Sequence, residues 1–247
     1  MILQRLKNLQ INFADCRVQS YDNGANMKGK HKGVQARLLE INPRALFVPC
    51  GAHTLNLVVA DSAKESLDAT AYFGYLQKLY NLFSASTKRW AILKKHVNIT
   101  LKMWSDTRWE SKVKSVEPLR YQASEVRDAL LEVRDETNDA LTKTEAQSLS
   151  EEVGSYRFSI CSVVWYDILI KLQVVSKLMQ SPIMQVDTAL SLLRKTRKEL
   201  QDYRVSGFVG AQILAKEMCE SLNVQADLKE KRLRKTKRQF SYESPDE

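Results

Sequence analysis

The stretch CRVQSYDNGANMKGK, residues 16–30, decides how this chain is expected to fold. Its first seven residues alternate in a way that reads as a half-buried strand. Asp22 closes that strand, and a Gly-Ala-Asn turn lies close behind it. An aspartate just past a strand end has two readings. It can cap the following helix, a position its residue type favours. It can also leave the sheet to meet a metal ion, where a second carboxylate from a neighbouring strand would complete a hard oxygen site for magnesium. The two are compatible, since a cap does not exclude a site.

Working outward, residues 3–11 read as an amphipathic helix and residues 24–41 as another, with Gly29 and Gly33 weakening its first turns. Asn42-Pro43 is a turn signal ahead of ALFVPCG, residues 45–51, a second short apolar strand. From His53 onward the apolar residues recur at helical spacing: Leu55, Leu57, Val58 and Val59, then Leu76, Leu79, Tyr80 and Phe83. Beyond residue 105 no strand is expected. Residues 107–134 and 187–202 read as amphipathic helices. FSICSVVWYDILI, residues 158–170, is assigned helix because Trp165, Ile168, Leu169 and Leu172 share that spacing. The polar residues 135–152 are either a connection or a solvated helix, and residues 229–247 change composition abruptly into a charged tail. There is no internal repeat. Strands joined by a helix, followed by helices alone, define an α/β, mostly helical class.

Composition narrows the partners. The 247 residues are 44% hydrophobic and 27% charged, as in a globular chain rather than a disordered one. No run of about 18 apolar residues stands out, so no membrane partner is expected. The opening MILQRLKNLQINF lacks the apolar stretch and cleavage site of a secretory signal. Cys16, Cys50, Cys161 and Cys219 are scattered, which argues against a disulfide framework and reads as intracellular. His31, His53 and His96 are too few for a local zinc finger of ordinary spacing. Phosphate-binding glycine loops and the common hydrolase motifs are absent, and no small-molecule substrate is expected. The net charge of +9 points to an anionic partner, nucleic acid first.

Several short motifs carry chemistry. In CGAH, Cys50 and His53 on a strand-to-helix turn could approach each other or a phosphate; the plain reading is a packed thiol and a hydrogen-bonded imidazole. In WSDTRWES, residues 104–111, Arg108 beside Trp109 suits a phosphate and an unstacked base, by charge and by stacking. Equally, Trp104 and Trp109 are core aromatics at a helix start, with Ser105 or Asp106 as cap. KEKRLRKTKR, residues 229–238, includes Lys231, Arg232, Arg234, Lys235, Lys237 and Arg238, and reads as a nuclear-localisation signal, a nucleic-acid arm or a solvated tail. STKRW, residues 86–90, is a smaller basic-aromatic cluster of the same kind.

Taken together, CRVQSYDNGANMKGKHKGVQARL, ALFVPCGAHTLNLVVADSA, LFSASTKRW, SDTRWES and KTKRQFSYE resemble the hAT superfamily of DNA transposases. The closer resemblance is to its domesticated vertebrate-type branch, fused in some proteins to zinc-finger MYM-type modules. The order and spacing match along almost the whole chain. The resemblance implies an RNase H-like core interrupted by a helical insertion: residues 1–104 a partial core with its first strands missing, residues 105–228 the insertion, residues 229–247 the basic tail. It puts the second of three catalytic acids on Asp22, the family's C-x-x-H pair on Cys50 and His53, and a tryptophan beside the cleaved strand on Trp109.

The departures set the functional expectation. The first catalytic Asp of that family precedes a three-stranded meander, for which the 21 residues before Asp22 leave no room. Its third acid, a Glu, follows the insertion and has no counterpart in this tail. Magnesium serves an intact family member, whereas a lone carboxylate holds it poorly, so neither a cofactor nor strand cleavage is expected. The expectation is an internal piece of a transposase-derived protein, nuclear, with residual electrostatic affinity for DNA. The alternative is a protein-interaction module that uses the helical insertion. An active nuclease would need the two missing acids from another chain. Missing strands would also leave an exposed sheet edge.

Overall fold

A computed structural model describes residues 2–22, 24–105, 109–181 and 183–228, with the backbone alone at Trp109 and Glu110. After a first short helix, α1 (Ile2–Asn8), and a 3-10 turn at Phe13–Asp15, strand β1 (Val18–Tyr21) pairs in parallel with β2 (Leu46–Pro49). Val18 stands opposite Leu46 and Tyr21 opposite Pro49. Parallel neighbours need a crossover, and two helices supply it: α2 (Ala25–Lys28) and α3 (Val34–Ile41).

The single helix expected over 24–41 is therefore two, broken at Gly29–Gly33. The break is steric. A Cβ on Gly29 would lie 2.6 Å from the Ala25 carbonyl oxygen, and one on Gly33 would lie 2.5 Å from the Gly29 nitrogen. The Gly33 N–H donates to the Gly29 carbonyl at 3.1 Å, closing a tight turn that only glycines can pass.

Polar bonds hold this strand unit together. Asn42 is buried; its Nδ2 donates to the carbonyls of Phe13 (2.8 Å) and Cys16 (2.9 Å), and its Oδ1 accepts from the Arg44 N–H (3.1 Å). Buried Gln19 donates to the Ala45 carbonyl at 2.8 Å and accepts from the Tyr21 hydroxyl at 2.6 Å. Each buried amide is thereby satisfied. The apolar side chains Val18, Leu46 and Val48 are exposed instead.

Among the described residues the elements after β2 are all helices: α4 (Gly51–Lys64), α5 (Leu67–Ser84), α6 (Thr87–His96), α7 (Trp109–Tyr121), α8 (Ala123–Glu136), α9 (Ala140–Val153), α10 (Tyr156–Met179), α11 (Val186–Asp202) and α12 (Phe208–Ser221). Ser66, Ser86, Asp139 and Ser155 cap α5, α6, α9 and α10 by accepting a first-turn N–H. The helix expected over 107–134 is broken at Gln122, whose backbone leaves the helical region (φ −140°, ψ 38°). Its side-chain oxygen accepts from the N–H groups of Asn98 (2.8 Å) and Ile99 (3.1 Å), tying the break to the loop after α6. The polar stretch 135–152 is helical over most of its length; α9 packs along α8 and buries Ala146, Leu149 and Val153.

Residues 158–170 are helical as expected, inside α10. This helix corrects one expectation: its 24 residues include an 18-residue window of mean hydropathy 1.6, long and apolar enough by length and composition to cross a membrane. In this fold it is a core helix, packed against α4, α5, α7, α9, α11 and α12. One apolar cluster runs from Val59 to Leu222, with Leu79, Phe83, Leu93, Leu130 and Leu169 fully enclosed. It crosses residue 104 without interruption, where Phe73 lies 4.1 Å from Trp104 and 4.8 Å from Trp165 between ring centroids. The described residues are thus mostly helical with two parallel strands, the coarse class the sequence predicts.

Candidate functional site

In a parallel sheet the residues just past the strands' carboxyl ends emerge at one edge, where ligands of α/β folds bind. Because Tyr21 stands opposite Pro49, the residues that follow them, Asp22 and Cys50, are neighbours at that edge. The ladder continues into them, with the Cys50 N–H donating to the Tyr21 carbonyl at 3.1 Å. Cys50 is the cap residue of α4, and its carbonyl accepts both the N–H (2.9 Å) and the hydroxyl (3.0 Å) of Thr54. His53 lies in the first turn of α4, so the C-x-x-H pair sits on a fixed strand-to-helix corner. Both side chains are half-buried.

Asp22 is exposed, and its Oδ1 accepts the Gly24 N–H at 3.1 Å. This is an Asx turn steering the chain into α2. The cap residue of α2 is Gly24, so Asp22 does not cap that helix in the sense first expected. Magnesium draws six hard oxygen ligands, several of them water. Asp22 supplies one carboxylate, and its neighbours at the edge are a thiol and an imidazole. Among the described residues no group of three or more His, Cys, Asp or Glu is placed to hold a metal ion. This donor set does not fit magnesium by itself.

The other sequence candidates lie apart from this edge or outside the description. Arg108, Lys231, Arg232, Arg234, Lys235, Lys237 and Arg238 fall outside the described residues, as does the side chain of Trp109, which opens α7. Trp104 takes the core alternative: it packs on Phe73, with the Lys112 ammonium 5.3 Å from its ring centroid. In the STKRW cluster, Ser86 caps α6, Lys88 pairs with Glu136 at 3.0 Å, and Trp90 packs edge-on against Tyr80.

Charge is distributed unevenly. Residues 1–104 hold 15 Lys and Arg against 6 Asp and Glu, whereas residues 105–228 hold 16 against 19. One run without a carboxylate, residues 23–39, contains Lys28, Lys30, Lys32 and Arg37. Sequence reasoning weighed the tail and the tryptophan motif and passed over this run. Its signal in the sequence is three lysines within five residues and no acid from 23 to 39, weaker than the acid-free run 69–105, which holds six bases. No family model, no curated protein and no solved structure matches the chain.

Proposed function

We propose that the chain derives from a hAT-superfamily DNA transposase and retains sequence-independent affinity for nucleic acid, without strand cleavage by these 247 residues. In this reading residues 1–104 are a partial RNase H-like core, residues 105–228 a helical insertion and residues 229–247 a basic arm, and the protein works in the nucleus. The observation that carries the binding half is the charge partition: the excess of positive charge lies on the half that holds the strands. The origin is supported by the strand-end Asp22 and the Cys50–His53 corner, which close two neighbouring parallel strands. Only Asp22 of the three expected acids is among these residues, and two-metal phosphoryl chemistry needs both ions clamped.

The test is fluorescence anisotropy with a labelled random duplex and a labelled hairpin across a salt series. Affinity should fall steeply with salt, with a log–log slope of about −0.9 per neutralised phosphate and no preference among duplex sequences. A hairpin preference that disappears in Trp109→Ala would add a base-handling site to the reading. No binding even at about 50 mM salt, where electrostatic association is strong, would sink it.

A second reading has its own observation. Val205, Phe208, Val209 and Ile213 are exposed and follow helical spacing from the π-helical turn Tyr203–Gly207 into α12. Such a stripe suits a protein partner. A chain that ignores DNA but self-associates in sedimentation, and loses that association in Phe208→Ser/Ile213→Ser, would favour this reading.

A further inference from the structure

We infer that the glycine-bounded turn between α2 and α3 is a preformed phosphate-contact surface, where Lys30 and Lys32, with Lys28 at the end of α2 beside them, engage the backbone of duplex nucleic acid at the carboxyl edge of the sheet. The inference rests on the binding reading above and names its contact surface.

Topology puts the turn at that edge. The chain leaves β1 at its carboxyl end and must return to the amino end of β2. Helix α3, eight residues and about 12 Å long at 1.5 Å per residue, makes that return. The turn preceding it therefore stays on the side of Asp22 and the Cys50–His53 corner. Lys28, Lys30, His31 and Lys32 are all exposed.

Part of the basic charge elsewhere in the chain is paired with acids. Lys88 and Lys95 pair with Glu136 and Glu132, Lys64 with Asp61, Arg157 with Asp68 and Lys195 with Glu199. Lys28, Lys30 and Lys32 make no ion pair with any described residue, and no acid lies between Asn23 and Leu39 to compete for them. Three unneutralised ammonium groups on one short turn repel one another unless an anion joins them. The turn does not need that anion to take its shape, because the close approach of Gly33 to Gly29 already fixes it. A surface shaped in advance saves ordering entropy when it binds.

The experiment uses the full chain and a labelled random duplex, with unlabelled phosphatidylserine vesicles as a second probe. Variants are Lys28→Gln/Lys30→Gln/Lys32→Gln, a charge-matched Lys143→Gln/Lys198→Gln/Lys216→Gln, and Gly33→Ala. Far-UV circular dichroism and the melting curve check folding; none of the substituted lysines belongs to the apolar cluster, so both should be unchanged in the two lysine variants. The first triple variant should bind the duplex on the order of tenfold more weakly and lose about three from the salt slope, one per lysine. The matched variant should move either quantity far less. Gly33→Ala keeps every charge but adds a Cβ 2.5 Å from the Gly29 nitrogen, so it should weaken binding several-fold by displacing the turn.

If the wild type ignores duplex at low salt, the binding reading itself fails and this surface with it. If the wild type binds but the first triple variant equals either wild type or the matched variant, the surface alone is overturned. Full affinity in Gly33→Ala would overturn the preformed turn. Binding to vesicles but not to duplex would overturn nucleic acid as the partner.

Discussion

The strand unit, residues 13–50, and the helical bundle that follows it are held together by different forces. In the bundle, side chains such as Phe83, Leu93 and Leu130 are wholly enclosed, and one apolar cluster links helices far apart in sequence. In the strand unit the buried side chains are two amides, Gln19 and Asn42, and the small Ala45, while Val18, Leu46 and Val48 face solvent. Hydrophobic burial scales with the apolar area removed from water, so the bundle carries most of the stability. The strand unit keeps its shape through directional bonds that fix geometry at small net energy. That suits an edge whose task is to present charged groups in a set arrangement.

The contrast is easiest to break at its extremes. Phe83→Ala should destabilise the protein by about 3–5 kcal/mol through lost burial and a residual cavity, read from the denaturant midpoint. Val48→Ala should stay within about 0.5 kcal/mol, as exposed substitutions do. Comparable costs would mean that the strand face is covered in solution and that the two regions are not so different. Asn42→Ala tests the polar half of the argument. It strands the Arg44 N–H and takes one bond each from the Phe13 and Cys16 carbonyls, which keep the Cys16 N–H and the Arg17 guanidinium, at about 1–3 kcal/mol. Hydrogen exchange should rise over residues 13–50 while amides in α5, α8 and α10 keep their protection. A uniform rise throughout the chain would show instead that the strand unit and the bundle unfold as one.

Much of the architecture was legible because periodicity reports which face of an element is apolar. The two strands, the helix at 158–170 and the helix at 187–202 were all readable in this way. Periodicity does not report what covers that face, so the exposure of Leu46 and Val48 came only with the structure. Helix boundaries fared worse where a break depends on close contact, as at Gly29–Gly33, or on a distant bond, as at Gln122. No assignment reached α12, where Phe208, Val209 and Ile213 lie outside the core although the helix buries Ala211, Ala215 and Met218. At the site, Asp22 and the C-x-x-H pair were visible as motifs. Their adjacency is a fact of strand register, which pairs residues 28 positions apart. Which lysines stay unpaired was equally hidden, since the Lys95–Glu132 pair spans 37 residues.

That pair gives the smallest predicted effect, and it sharpens the electrostatic side of the comparison. The Lys95 ammonium contacts both Glu132 oxygens at 2.9 and 3.0 Å, and the His96 Nε2 lies 2.7 Å from one of them. Hydrogen bonds from Lys95 first and His96 second hold the Glu132 carboxyl below the usual glutamate range. A carboxyl depressed in the folded state stabilises that state above its unfolded value, about 4.3, and the contribution is lost as pH falls through the lower folded value. Glu132→Gln should therefore lower the denaturant midpoint slightly at pH 7, as expected for an exposed pair. The gap from wild type should close as the pH falls through that acid window, and it should also shrink with added salt. Lys28→Gln/Lys30→Gln/Lys32→Gln, which removes cations that have no acid beside them, should show no such acid-dependent loss of midpoint. A gap in that variant that closes in acid as Glu132→Gln does would mean that those lysines are neutralised within the fold, and the unopposed charge of that turn would be gone.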